Sequence, residues 1–187
     1  MGQRYPPPPQ RYIGLVTREA DTASGPDDDG GTVSDGTAVA QLLVCSWVLR
    51  ASNLPLWLSG ERLSPFLSFA VARTAPLVLS EELSWTRPDG ERSQRLSIHQ
   101  WDGTGFARRG HGLRMFDLSR WSLVGVSGDR NILILHLRST RPARTGLDLL
   151  VREGSGMNSA RSIVANASAR FGLTVEDFAS LAWVDRG

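Results

Sequence analysis

The most apolar part of the sequence lies between residues 38 and 79, and its period does not separate helix from strand. Residues 38–51 (AVAQLLVCSWVLRA) have the length of a helix, whereas their valine and tryptophan content favours a strand. Residues 54–58 and 65–72 continue the apolar character as short pieces interrupted by proline. We therefore expect this region to be buried, and both element types stay open for residues 38–51.

Beyond residue 85 the pattern changes to alternating apolar and polar positions separated by turn signals, which predicts antiparallel strands. Asp89 and Gly90 mark a hairpin turn, and the sequences DGTG and GDR mark two further turns. In QRLSIHQW (residues 94–101), Ile98 falls on one face of the strand and His99 on the other. The segment 83–139 therefore predicts a β-meander of about four strands.

The last part of the chain has the signals of a helix pair. Asn158 or Ser159 can cap a first helix, and Gly172 is placed to end it. Apolar residues recur at helical spacing at Ala160, Ile163, Val164, Ala167 and Phe171. Thr174 and Asp177, three positions apart, resemble a capping box for a second short helix. The helix pair is predicted within residues 158–184.

Together these patterns predict an α+β fold, in which an antiparallel β-meander sheet is covered by the C-terminal helix pair. The sheet, of about six strands, could curl into a barrel or a sandwich. We assign residues 37–187 to a single domain. Residues 1–36 begin with a proline run and continue with acidic, glycine and serine residues, so we predict that they form a flexible tail.

Charge is distributed unevenly along the sequence. All 21 basic residues are arginine, and the 187-residue chain carries a net charge of +2. Residues 86–144 hold eleven of these arginines and five acids, a net charge of +6. The guanidinium group is planar and binds phosphates and carboxylates through paired hydrogen bonds. Codon usage in a GC-rich genome is one explanation of the missing lysine, and selection against lysine is another, but codon usage does not account for the placement of arginine within the predicted meander.

Arginine interleaved with tryptophan on a sheet predicts a non-enzymatic binding protein that holds an anionic partner. That partner would be a single-stranded nucleic acid or an acidic protein surface, because arginine neutralises phosphates and aromatic rings stack on bases. The candidate residues are Arg92, Arg95, Arg108, Arg109, Arg114, Arg120, Trp101 and Trp121. The competing interpretation is structural, with the tryptophans on an inner face and the arginines on an outer one.

Two further alternatives come from other classes of protein. The chain could be an assembly subunit that forms homo-oligomers through its sheet edges and the apolar residues 38–79. It could also be a small enzyme that uses His99, Asp102 and His111 as acid–base groups. No nucleophile-elbow serine, HExxH pair or phosphate loop accompanies these residues, so a non-enzymatic function is favoured.

The sequence predicts neither a cofactor nor a metal site, and it predicts a cytoplasmic protein. One cysteine and three scattered histidines do not make a recognised metal-ligand spacing. The N-terminus, MGQRYPPPPQRY, lacks the charged-then-apolar order of a secretory signal. No uncharged apolar stretch reaches the length of about 18 residues that a membrane-spanning helix requires.

Overall fold

The apolar residues 38–51 contain both a helix and a strand. Helix α1 (Gly36–Leu43) is followed directly by strand β1 (Ser46–Ser52). The indole N–H of Trp47 donates to the carbonyl oxygen of Leu43 at 2.9 Å, so the first residues of the strand hold the end of the helix. The first half of this segment is thus helical, as its length suggested, and the second half is a strand, as its valine and tryptophan content suggested.

The computed structural model describes residues 36–109, 118–140, 143–156 and 159–184.

Eight antiparallel strands close into a barrel. After β1 and the short helix α2 (Pro55–Leu58), the strands are β2 (Leu63–Thr74), β3 (Leu77–Thr86), β4 (Arg92–Trp101), β5 (Phe106–Arg109), β6 (Leu118–Val126), β7 (Ile132–Thr140) and β8 (Ala143–Arg152). Each of these strands pairs with the next, and β1 pairs with both β8 and β2. The predicted barrel is confirmed, whereas an open meander sheet and a sandwich are wrong.

Closure also removes the sheet edges through which self-association was predicted. An open sheet presents unpaired N–H and C=O groups at its edges, but here the two outermost strands share β1 as a neighbour. Much of the apolar segment 38–79 faces the inside of the barrel, where Trp47, Leu67, Phe69 and Leu79 are buried. The density of apolar residues in this segment is therefore explained by the barrel interior.

The two ends of the barrel differ. Strand β1 runs from α1 to α2, so these helices lie at opposite ends, which we name the base and the mouth. The base is filled by aromatic rings: Phe106 stacks on Trp121 with centroids 4.6 Å apart, and Trp101 meets Phe106 edge-on at 5.0 Å. Helix α1 packs closely there, because a Cβ atom added to Gly36 would lie 2.7 Å from the Trp101 ring.

A second core lies outside the barrel, under the C-terminal segment. That segment comprises α3 (Ala160–Asn166), a 3-10 turn (Ser168–Phe171), α4 (Val175–Ser180) and β9 (Ala182–Trp183). Val164, Phe171 and Leu173 pack against Ile134 and Leu149 on the outer faces of β7 and β8. Short C-terminal helices are therefore confirmed, and they cover one side of the barrel.

The predicted capping box of the second helix is present, whereas the first helix ends at Asn166 rather than at Gly172, and the side chain of Ser159 makes no capping hydrogen bond. Gly172 is left-handed, with φ of 67°, at the end of the 3-10 turn. Thr174 and Asp177 form a reciprocal capping box at the start of α4. These signals act within a few residues, so they can be read from the sequence without knowledge of the tertiary fold.

Strand β4 has its polar face inside the barrel. Leu96 and Ile98 are 72% and 51% exposed, whereas His99 on the opposite face is 3% exposed. The alternation of this strand was predicted correctly, but hydrophobicity alone would place its apolar face inside the barrel, whereas that face lies outside. Polar side chains therefore enter the barrel interior on this strand.

The tail and the location stay predictions. Residues 1–35 lie outside the described residues, and so do residues 110–117, 141–142, 157–158 and 185–187. Among the helices of the described residues, none has the length and apolar character needed to cross a membrane. Neither observation tests the boundaries of the single domain 37–187 or the cytoplasmic location.

Replacing Gly125 by alanine should destabilise the protein, because β6 touches the C-terminal segment at this residue. An added Cβ would lie 2.4 Å from the carbonyl oxygen and 2.7 Å from the Cα of Phe171, so backbone would have to move. We expect a loss of about 1–3 kcal/mol in the free energy of unfolding, measured by urea denaturation.

Gly128→Ala is the matched control, because its added Cβ meets no atom within 4 Å. Its free energy of unfolding should stay within about 0.5 kcal/mol of the unmodified protein. Equal urea midpoints for the two variants would contradict the close contact between β6 and Phe171.

Candidate binding cavity

A cavity of about 300 Å³ lies in the mouth half of the barrel, beneath α2. Its apolar lining includes Leu67, Phe69, Leu83, Trp121, Leu135 and Leu137. Its polar lining includes Glu81, Arg95, His99, Arg108 and Asp148. The cavity thus combines an apolar wall with ionisable groups that come from four different strands.

Three of the lining residues form a hydrogen-bonded chain. The indole N–H of Trp121 donates to Nδ1 of His99 at 3.0 Å, and Nε2 of His99 bonds to a carboxylate oxygen of Glu81. An indole nitrogen can only donate, so Nδ1 carries no proton and His99 is neutral, with its proton on Nε2. That proton is donated to a carboxylate oxygen of Glu81, whose lowered pKa keeps it ionised at neutral pH.

The electrostatic environment of Glu81 agrees with this arrangement. Burial would raise the pKa of Glu81, but the hydrogen bond from His99 and the positive charges of Arg95 and Arg108 hold it below its ordinary value. Sequence reasoning missed this residue. The usable signal was alternation, because Glu81 shares a strand face with the apolar residues Leu79 and Leu83.

Asp148 is a second buried acid that sequence reasoning missed, although it stands alone within the apolar run LDLLV. The hydroxyl of Ser52 donates to one carboxylate oxygen at 2.6 Å, and the indole N–H of Trp57 donates to the other at 3.3 Å. Burial raises the pKa of Asp148 to about 7, against the effect of these two hydrogen bonds. Since Trp57 belongs to α2, this bond attaches α2 to β8 across the mouth.

The predicted pairing of His99 with Asp102 is wrong. Asp102 accepts hydrogen bonds from the backbone and side chain of Thr104 and forms an ion pair with Arg120. These contacts hold the β4–β5 turn, while His99 binds Glu81 inside the barrel. His111, the third residue of the enzymatic hypothesis, lies outside the described residues. No group of three or more metal-ligating side chains occurs in the part of the chain that the structure describes.

Four of the predicted anion-binding residues face the barrel interior. Arg95 and Arg108 line the cavity, and Arg108 donates to the hydroxyl of Ser97 at 3.2 Å. Trp121 forms part of the cavity wall, and Trp101 is packed at the base. The interpretation that places tryptophan inside and arginine outside is therefore right for these tryptophans and wrong for these two arginines.

Among the other predicted residues that the structure describes, Arg120 borders the cavity, but neither its guanidinium nor that of Arg92 joins Arg95 and Arg108. Arg92 points outward and donates to the hydroxyl of Ser84 at 3.4 Å. The guanidinium of Arg120 is bound to Asp102 at the β4–β5 turn. Arg114 and the side chain of Arg109 lie outside what the structure describes. The predicted set is thus divided between the inside and the outside of the barrel.

Several solved structures share this lipocalin-like barrel. Lobster apocrustacyanin A1 superposes with a TM-score of 0.58 at 13% sequence identity, covering 81% of this chain and 82% of its own. The cockroach allergen Per a 4 gives 0.56 at 12%, covering 79% and 87%. Ex-FABP, a siderocalin, gives 0.51 at 13%, covering 78% and 95%. No protein-family model and no curated protein matches the chain. At these identities the likeness shows the fold alone.

This fold overturns the prediction of a nucleic-acid or acidic-protein binding surface. The prediction assumed a meander whose arginines and tryptophans share an exposed face. Closure into the shared barrel turns Arg95, Arg108 and Trp121 toward a cavity of about 300 Å³, which cannot admit a nucleic-acid chain. Arginine and tryptophan do suit an anionic partner, but the size of the space that these side chains face excludes both proposed partners.

Asp148→Asn should change the pH dependence of stability. Because the folded-state pKa of about 7 lies above the ordinary value of 3.8, the unfolded chain releases this proton first as the pH rises. Asp148 should therefore reduce stability progressively between about pH 4 and about pH 7, by on the order of 4 kcal/mol. Urea denaturation at a series of pH values should show the difference between the variant and the unmodified protein changing across this window.

Asp177→Asn is the matched control: it removes a carboxyl in the same way, but the effect of this carboxyl on stability has the opposite sign. Hydrogen bonds from the backbone and side chain of Thr174 lower the pKa of Asp177, so its contribution is lost as the pH falls below about 4. A difference for Asp148→Asn that does not vary with pH would contradict the buried, proton-binding carboxyl.

Proposed function

We propose that the protein binds a small molecule with an apolar body inside the barrel. The observation that carries this proposal is the cavity of about 300 Å³, walled by apolar side chains, in a barrel whose other half is filled by stacked aromatic rings. Cavities that hold small ligands start at about this volume and combine apolar walls with a few polar groups.

The cavity differs from a packing defect. An unfilled space in a core costs stability, because the side chains around it lose their contacts. Here the same space is also lined by the buried acids Glu81 and Asp148 and by the partly buried Arg95 and Arg108, which a core of this size does not need. A bound molecule with apolar and polar parts would satisfy both kinds of wall.

The fold supports the same proposal. Among the solved structures that share the barrel, the siderocalin Ex-FABP functions through dual ligand specificities. In this protein, α2 lies at the mouth, between the end of β1 and the start of β2, and its Leu56 and Leu58 are partly exposed. We place the entry of the ligand between α2 and these strand ends, the end of the barrel that aromatic rings do not fill.

A neutral apolar dye whose fluorescence rises on leaving water, N-phenylnaphthylamine, tests the proposal. We expect saturable binding to the full chain. Leu83→Trp should weaken it by about tenfold or more, because the larger ring would occupy part of the cavity that Leu83 now lines. The measurement is the dye titration, with circular dichroism to verify the fold of each variant.

Leu96→Trp introduces the same ring on the outer face of β4, at a side chain that is 72% exposed. Dye binding to this control should equal that of the unmodified protein. No saturable binding, or equal loss in both variants, would sink the proposal that the cavity is the binding site.

A further inference from the structure

Three guanidinium groups lie together on the mouth side of the cavity. Arg95 and Arg108 line it from β4 and β5: Arg95 lies two interior positions nearer the mouth than the buried His99, and Arg108 one interior position nearer the mouth than the buried Phe106. The third is Arg62, whose guanidinium carbon lies 4.5 Å from the Trp85 ring centroid. Burial lowers the pKa of Arg95, and the charges of Arg108 and Arg62 lower it further, which they can do because the three cations lie close together.

These cations have fewer partners than buried cations require. Nε of Arg95 and one terminal nitrogen of Arg62 are buried without a hydrogen-bond partner among the described residues. Among the ion pairs that join described residues, none includes Arg62, Arg95 or Arg108. Desolvated donors of this kind cost free energy unless an acceptor reaches them.

The charges inside the cavity do not balance. Glu81 is ionised, but one of its carboxylate oxygens already accepts a hydrogen bond from the imidazole N–H of His99. Asp148 has a pKa of about 7, so it supplies at most a partial negative charge near neutral pH. Against these two acids stand Arg95 and Arg108 in the lining, with Arg62 near Arg95 and the more exposed Arg138 and Arg144 at the border of the cavity, which leaves an excess of positive charge beside the apolar wall.

We propose that Arg95 and Arg108, supported by Arg62, bind the carboxylate head of an amphiphile whose apolar tail fills the cavity. This inference rests on the proposed function and adds the chemical class of the ligand. A carboxylate accepts paired hydrogen bonds from guanidinium groups.

Competition against the bound naphthylamine dye tests the head group separately from the tail. Decanoate and decanol carry the same alkyl chain, and only decanoate carries a charge. We expect decanoate to displace the dye from the full chain at roughly ten- to a hundredfold lower concentration than decanol. Added salt should weaken displacement by decanoate and leave displacement by decanol unchanged.

The variants Arg95→Gln and Arg108→Gln remove one charge each and keep a hydrogen-bond donor. Each should lose most of the preference for decanoate while binding decanol as before. Arg170→Gln makes the same change on the exposed surface of the 3-10 turn, outside the barrel, and should keep the full preference. If Arg95→Gln fails to fold, the preference of Arg108→Gln and the salt dependence of the unmodified protein decide whether the arginines bind the carboxylate.

The outcomes separate the two proposals. Equal potency of decanoate and decanol, or unchanged preference in both cavity variants, would overturn the carboxylate site and leave the apolar cavity standing. Decyl phosphate displacing the dye more strongly than decanoate would assign the arginines to a phosphate head instead, against our proposal. Failure of the dye and of both amphiphiles to bind would overturn the ligand-binding function itself, and the carboxylate site with it.

Discussion

Pairing of β1 with both β8 and β2 is the constraint on which the rest of this structure depends. Once the sheet is closed, each strand has one face inside and one outside, and there is no choice of exposed face. Residues that an open sheet would present to solvent, such as Arg95 and Trp121, then face a confined space. The character of the binding site therefore follows from one inter-strand contact between distant parts of the chain.

Features that depend on neighbouring residues were predictable from the sequence. The Asp89–Gly90 hairpin, the alternation in β4 and the capping box of Thr174 and Asp177 all act within a few positions, and each lies where it was expected. The choice of barrel over sandwich was not predictable, because it depends on register between β1 and β8, about 100 residues apart. The sequence contains no local signal for that contact.

The candidate site shows the same division. Arg95, Arg108 and Trp121 were identified by residue type, but their partner was misjudged because their orientation was unknown. Glu81 and Asp148 were missed because acidic residues are usually exposed. Inside this barrel the rule fails: His99 and Trp121 support the first carboxylate, and Ser52 and Trp57 support the second. Each of these two buried carboxylates accepts a hydrogen bond from a side chain on another helix or strand.

The chain from Trp121 through His99 to Glu81 also constrains how this protein can evolve. Its three members lie on three strands, β6, β4 and β3, and each donor is paired with an acceptor on a different strand. Changing one member leaves a buried donor or acceptor unpaired on another strand, so replacing one member alone is costly, and replacing all three removes the unpaired groups. In related sequences, these three positions should therefore be inherited together or lost together.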